Sequence, residues 1–201
     1  MMFYTSVERG APNPRRVELF LKEKRIDLPT TSFTLFKREH KSEAFLAKHP
    51  LGKIPALELD DGTVLSESVA ICRYLESLYP EHPLFGRTSV EVAKIEIWSR
   101  RVELMLMTPL GLFWLHAHPL TAKLHSQFTE FGESNRSRAQ DVMRWFESQI
   151  GDGWLAGDFS IADILLQTSI EFGQFIGIPI PDDCPKLQAW LGRAQARDAA
   201  A

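Results

Sequence analysis

Cysteine is scarce in this chain of 201 residues: Cys72 and Cys184 are the only two, far apart and outside any CxxC or Cys/His ligand spacing. A structural zinc site does not fit that pattern, and a reducing compartment does. Charge of one sign is also lacking. The formal net charge is -3 with both signs mixed throughout, and no basic stripe interleaved with aromatics occurs, which argues against a nucleic-acid partner. Long apolar runs are missing too. Leu104 to Ala122 holds no Asp, Glu, Lys or Arg, yet Pro109, Gly111, His116, His118 and Pro119 interrupt it short of the ~20 apolar residues a membrane span needs. It reads as a buried helix, and no membrane association is expected. The start Met1-Met2-Phe3-Tyr4 has no basic segment followed by an apolar core, so export is not indicated and a cytoplasmic protein is expected. Internal repeats and low-complexity tracts are absent.

What is present is the make-up of an ordinary globular protein, 44% apolar and 24% charged. The first 79 residues alternate strand and helix signals, whereas everything beyond the Pro80, Pro83, Gly86 cluster reads as helix. Two domains follow, 1–79 and 89–201. Met2 to Ser6 is a short apolar strand, and Asn13-Pro14 is expected to open a helix whose buried stripe is Val17, Phe20, Leu21 and Lys24. Thr31, Phe33 and Leu35 alternate as a second strand, with a short helix at 43–48. Ala56 to Leu59 and Thr63 to Leu65 flank the hairpin signature Asp60-Asp61-Gly62, after which Ser66 is expected to cap a helix through Val69, Cys72 and Leu75. One parallel crossover unit beside one antiparallel hairpin matches a thioredoxin-like α/β domain. In the second part, Val92, Ile95, Val102 and Leu106 set a helical period, and a further long helix lies between Thr121 and Ile150. Ser160-Ile161-Ala162-Asp163 reads as a capping box, so this domain is all-helical.

Four features of the first domain converge on one ligand. In Lys53-Ile54-Pro55-Ala56, a proline opens a strand; a cis bond there would turn the Ile54 backbone outward, where an extended peptide could pair with it. Ser66-Glu67-Ser68 opens a helix whose free N–H groups suit a carboxylate, while Glu67 can accept from an ammonium. His40 and Lys53 are a pair of cations for a second carboxylate. The turn into the Asn13-Pro14 helix would favour a thiolate. Lowering a thiol by two units from about 8.5 takes roughly 2.7 kcal/mol, within reach of a few charge-assisted hydrogen bonds. Since no cysteine stands there, the thiol must come with the ligand. An amino-acid head, a central backbone, a thiol and a terminal carboxylate together describe glutathione.

Ala11-Pro12-Asn13-Pro14-Arg15-Arg16-Val17, Glu39-His40-Lys41-Ser42, His49-Pro50-Leu51-Gly52-Lys53-Ile54-Pro55-Ala56-Leu57 and Leu65-Ser66-Glu67-Ser68-Val69-Ala70-Ile71 resemble successive signatures of bacterial cytosolic glutathione S-transferases. Gly157-Asp158-Phe159-Ser160-Ile161-Ala162-Asp163 is similar to the capping motif of their helical domain. The resemblance implies the glutathione transferase fold, a homodimer, and glutathione as cosubstrate without a metal. It implies that Ile54, before Pro55, pairs with the cysteinyl backbone, that Glu67 and Ser68 hold the γ-glutamyl end, and that His40 and Lys53 hold the glycyl carboxylate. The chain departs from the pattern at the thiol: Ala11 stands where many relatives carry Ser, Tyr or Cys. Asn13 and Ser6 are the candidate catalytic residues, with Thr5 and Tyr4 nearby. A small hydrophobic electrophile would meet the apolar lining of Met105, Phe113 and Trp114, with Leu112 and Met107 beside them. The function implied is activation of the glutathione thiol for attack on that electrophile. A glutathione-dependent disulfide or peroxide reductase and a non-catalytic binding protein of the same fold are the alternatives. Cys72 reads as an inert core thiol, and Cys184, before Pro185, as the one to react.

Overall fold

The computed structural model describes residues 1–124 and 126–200, which divide into two compact units, 1–83 and 84–200. In the first, β1 (Met2–Ser6) is followed by α1 (Pro12–Glu23), β2 (Thr30–Phe33), α2 (Glu43–Lys48), β3 (Ala56–Glu58), β4 (Val64–Ser66) and α3 (Ser68–Leu78). The sheet order is β2-β1-β3-β4, with β1 parallel to β2 and antiparallel to β3, and β3 antiparallel to β4. This is a thioredoxin-like sheet. As an inner strand, β1 is covered on both faces, and Phe3, Tyr4 and Thr5 are all buried. On one side α1 packs against α3, and Val17 and Phe20 of the one and Ile71, Cys72 and Leu75 of the other are each 0% exposed. On the other, Phe45 of α2 meets Tyr4 and Ala56, with Phe33 and Ile54 around them.

Local chemistry accounts for most turns. Gly62 at φ +85 and the Asp61 side chain, which accepts from the Thr63 N–H at 2.9 Å, close the β3–β4 hairpin. Two helix starts differ from expectation. The α1 helix begins at Pro12, so Ala11 is its cap and Asn13 its second residue. A proline suits that first turn because its missing N–H would have no intrahelical acceptor anyway. At α3 the cap is Glu67 at φ +64, not Ser66, which is held in β4 opposite Ala56.

The second unit is helical: α4 (Ser89–Arg101), a π-helical stretch (Val102–Met107), α5 (Thr108–His116), α6 (Thr129–Gln149), α7 (Ile161–Phe175) and α8 (Pro185–Ala200). Pro109 removes one helical donor and crowds the carbonyl a turn earlier; the helix answers by widening into the π stretch just before it. The Thr108 hydroxyl then donates to the Glu103 carbonyl at 3.0 Å. The most buried helix is α7, with Ile164, Leu165, Leu166 and Ile170 all 0% exposed. Among the described residues, no helix is long and apolar enough to cross a membrane. Cys184 overturns its expectation. It is 0% exposed, and burial pushes its thiol up, so a position before proline did not make it reactive. Cys72 is equally buried.

Candidate functional site

A groove of about 340 Å³ opens in the first unit, lined by Asn13 at the start of α1, Leu35 and His40 between β2 and α2, and Lys53 and Ile54 ahead of β3. Its α1 wall has an unusual donor set. Pro12 and Pro14 carry no N–H, and the Ala11 N–H donates to the Glu8 carbonyl at 3.1 Å. The Arg15 N–H donates to the Ala11 carbonyl at 3.3 Å. The Asn13 N–H is therefore the backbone donor left at this helix terminus. The Asn13 side-chain oxygen accepts from Arg16 at 3.1 Å, which leaves its amide NH2 as a second donor.

On the opposite wall, His40 has a buried Nδ1 with no hydrogen-bond partner, an atom that a ligand could satisfy. Burial, reinforced by the charges of Lys41 and Arg38, lowers the His40 pKa, and the Glu8 carboxylate only partly opposes this. That direction favours the neutral imidazole, whereas the sequence reading takes His40 as one of two cations. Lys53 is the exposed cation of the pair. The neighbouring Lys41 ammonium donates to the Leu51 carbonyl at 2.7 Å. Gly52, at φ +51, allows this wall to close up, because a Cβ there would lie 2.6 Å from Leu46 and 2.9 Å from the His40 carbonyl oxygen. The Ile54–Pro55 peptide is cis.

The glutathione S-transferase N-terminal domain matches residues 11–78, and the glutathione S-transferase C-terminal domain matches residues 117–198. Glutathione S-transferase 2 of Saccharomyces cerevisiae is 36% identical over 196 residues, spanning 94% of this chain and 83% of that protein. The chain belongs to the glutathione S-transferase family. A glutathione S-transferase domain-containing protein of Marinobacter aquaeolei has a solved structure similar at TM-score 0.87 and 32% identity, covering 98% of each chain. A class Gtt2 glutathione S-transferase of Vibrio parahaemolyticus has one similar at TM-score 0.82 and 30% identity, covering 99% of this chain and 95% of that one. With the yeast relative, the likeness extends beyond bacteria. Glutathione is the thiol substrate of the family, and glutathione transferase is the activity class of this chain.

The remaining residues expected of a glutathione transferase are placed as follows. Glu67 is exposed at the start of α3, while Ser68 is 5% exposed, its hydroxyl accepting from Arg16 at 2.7 Å. Neither lines the groove, but Arg16, itself 3% exposed, ties Ser68 to Asn13. Ser6 stands apart: its hydroxyl donates to Glu8 at 2.6 Å and it borders a different depression, shared with Thr5, Glu18 and Ser32. In the helical unit, Met105 and Trp114 are half-buried. Phe113 is 2% exposed, with the Arg136 guanidinium 4.3 Å from its ring centre. Among the described residues, no group of three or more His, Cys, Asp or Glu could hold a metal.

Sequence reasoning missed Gly52 in the groove wall, and Arg16 and Glu8, which lie outside the lining but bond to residues in it. Arg16 carries a usable signal, since an arginine three residues after Asn13 and beside Val17 falls on the buried stripe of α1. Glu8 carries none: its partner Leu35 is 27 residues away.

Proposed function

We propose that this chain binds glutathione in the groove of residues 1–79 and activates its thiol for attack on a small hydrophobic electrophile. The observation that supports this reading is the gathering of Asn13, His40, Lys53 and Ile54 around one groove. Lys53 supplies positive charge to the glycyl carboxylate, and His40, as a neutral donor, a hydrogen bond to it. The Ile54 backbone pairs with the cysteinyl unit ahead of Pro55. Glu67 and Ser68 hold the γ-glutamyl ammonium and carboxylate. The Asn13 N–H and amide NH2 face the sulfur, where developing negative charge is stabilised most by fixed donors. The helical domain, 89–201, provides apolar lining for the electrophile through Met105 and Trp114. With both protein thiols buried, transfer to an electrophile suits this chain better than reduction of disulfides or peroxides. We further read it as a cytoplasmic homodimer of the bacterial branch, working without a metal, a nucleic acid or a membrane. The Marinobacter and Vibrio relatives support that branch.

Calorimetry with glutathione tests the reading. Lys53→Ala should weaken binding by about 1 to 3 kcal/mol, the effect of losing a charged hydrogen bond. Absence of binding to the unmutated protein would overturn the reading, and binding without turnover of an aryl halide would point to a non-catalytic protein.

A further inference from the structure

The two walls of the groove come from segments that part after the last β1–β2 backbone bond, in which the Val7 N–H donates to the Phe33 carbonyl at 3.0 Å. One is the loop 7–11 that leads into α1; the other is the stretch after β2 that carries Leu35 and His40. Beyond that bond, the Glu8 side chain joins them. The Leu35 N–H donates to both carboxylate oxygens of Glu8 at 3.0 Å, and the Ser6 hydroxyl donates to the same carboxylate at 2.6 Å. The Glu8 N–H returns a bond to the Ser6 oxygen at 3.0 Å, and the Glu8 carbonyl accepts from the N–H of Ala11, the cap of α1. The Leu35 carbonyl in turn accepts from the Arg38 N–H at 2.9 Å, so the turn that leads to His40 is fixed through the same residue. Burial opposes ionisation of Glu8, but the donors from Ser6, Leu35 and Phe36 outweigh it and hold its carboxyl below the usual range. The bonds to Leu35 and Ser6 are therefore those of a carboxylate, the stronger class.

We infer that Glu8 is a positioning residue that sets the separation of the two groove walls, and with it the affinity for glutathione, without touching the sulfur. This rests on the reading of the groove as the glutathione site. A group of this kind acts on ground-state binding more than on the chemical step, so it should move KM and spare kcat. Glu8→Ala is expected to raise the KM for glutathione about tenfold or more, as loss of a charged hydrogen bond does, with kcat changed less than about twofold. Glu8→Gln keeps one oxygen for the Leu35 N–H and should restore KM to within about threefold. Amide exchange of Leu35 should speed up about tenfold in Glu8→Ala while that of Ile71, in the core of α3, stays unchanged. If Glu8→Ala does not fold, Glu8→Asp, one methylene short of Leu35, provides the same comparison. An unchanged KM in the Ala or Asp variant, or an equal rise in the Gln variant, would overturn the inference. If the unmutated protein fails to bind glutathione, the functional reading falls instead. The exchange of Leu35 then decides: faster exchange supports the tie between the walls, and unchanged exchange removes it.

Discussion

At the scale of single residues, the absence of a hydroxyl at Ala11 shifts attention to what Asn13 and Ser6 can donate. A thiolate needs donors with protons to spare. The Ser6 hydroxyl gives its single proton to Glu8 at 2.6 Å, whereas Asn13 keeps its backbone N–H and its amide NH2 because Arg16 occupies only its oxygen. Asn13→Ala should therefore raise the pKa of glutathione bound to the protein, read from the ultraviolet absorbance of the thiolate against pH. Turnover should fall on the order of 10²-fold, the usual consequence of removing one such donor. Ser6→Ala should change both less. The opposite ranking would move the role to Ser6 despite its engagement with Glu8.

At the scale of elements, the start of α7 is built around a buried acid. Asp163 is 0% exposed, and its carboxyl accepts from the Leu155 N–H at 2.9 Å and from the Ser160 N–H and hydroxyl at 3.0 Å each. Burial outweighs these bonds and pushes its pKa from 3.8 up to about 6. In the window between those values the native protein holds a proton that the unfolded chain has released. The contribution of Asp163 is thus fully present below about pH 4, declines as pH rises to about 6 and is level above it, a span of about 3 kcal/mol. Asp163→Asn removes this titration, yet it turns an NH2 towards a backbone donor at the cap and should cost about 1 to 3 kcal/mol at neutral pH. Urea unfolding of both proteins from pH 4 to 7 checks the sign. The stability advantage of the unmutated protein over Asp163→Asn should shrink as pH rises through that window, and an advantage that grows would show that the hydrogen bonds outweigh burial.

At the scale of the whole molecule, the chain leaves apolar side chains in solvent along one helical run. Val90, Val92 and Ile97 of α4 and Leu104 of the π stretch are 64%, 39%, 49% and 62% exposed. Each is unremarkable alone, but several on one run suit a two-fold interface between copies. Sedimentation equilibrium at micromolar concentration is expected to give about twice the 22.9 kDa of one chain, and a lone 22.9 kDa species would exclude the dimer.

The elements of this protein were legible in its sequence because their signals are local. Asp60-Asp61-Gly62 specifies a hairpin through a side-chain bond two residues long and a positive φ, and Ser160 with Asp163 specifies a helix start within one turn. Motif spacing likewise singles out Asn13, His40, Lys53 and Ile54, which line one groove. What only the tertiary structure decided is which group each side chain meets across a long stretch of chain. Arg16 reaches Ser68, 52 residues on, Glu8 reaches Leu35, and Cys184 and Phe113 are sealed in the helical core. Periodicity tells which face of an element is buried, but the partner on the far side, and therefore a side chain's proton, charge or access, is fixed by packing between segments remote in sequence.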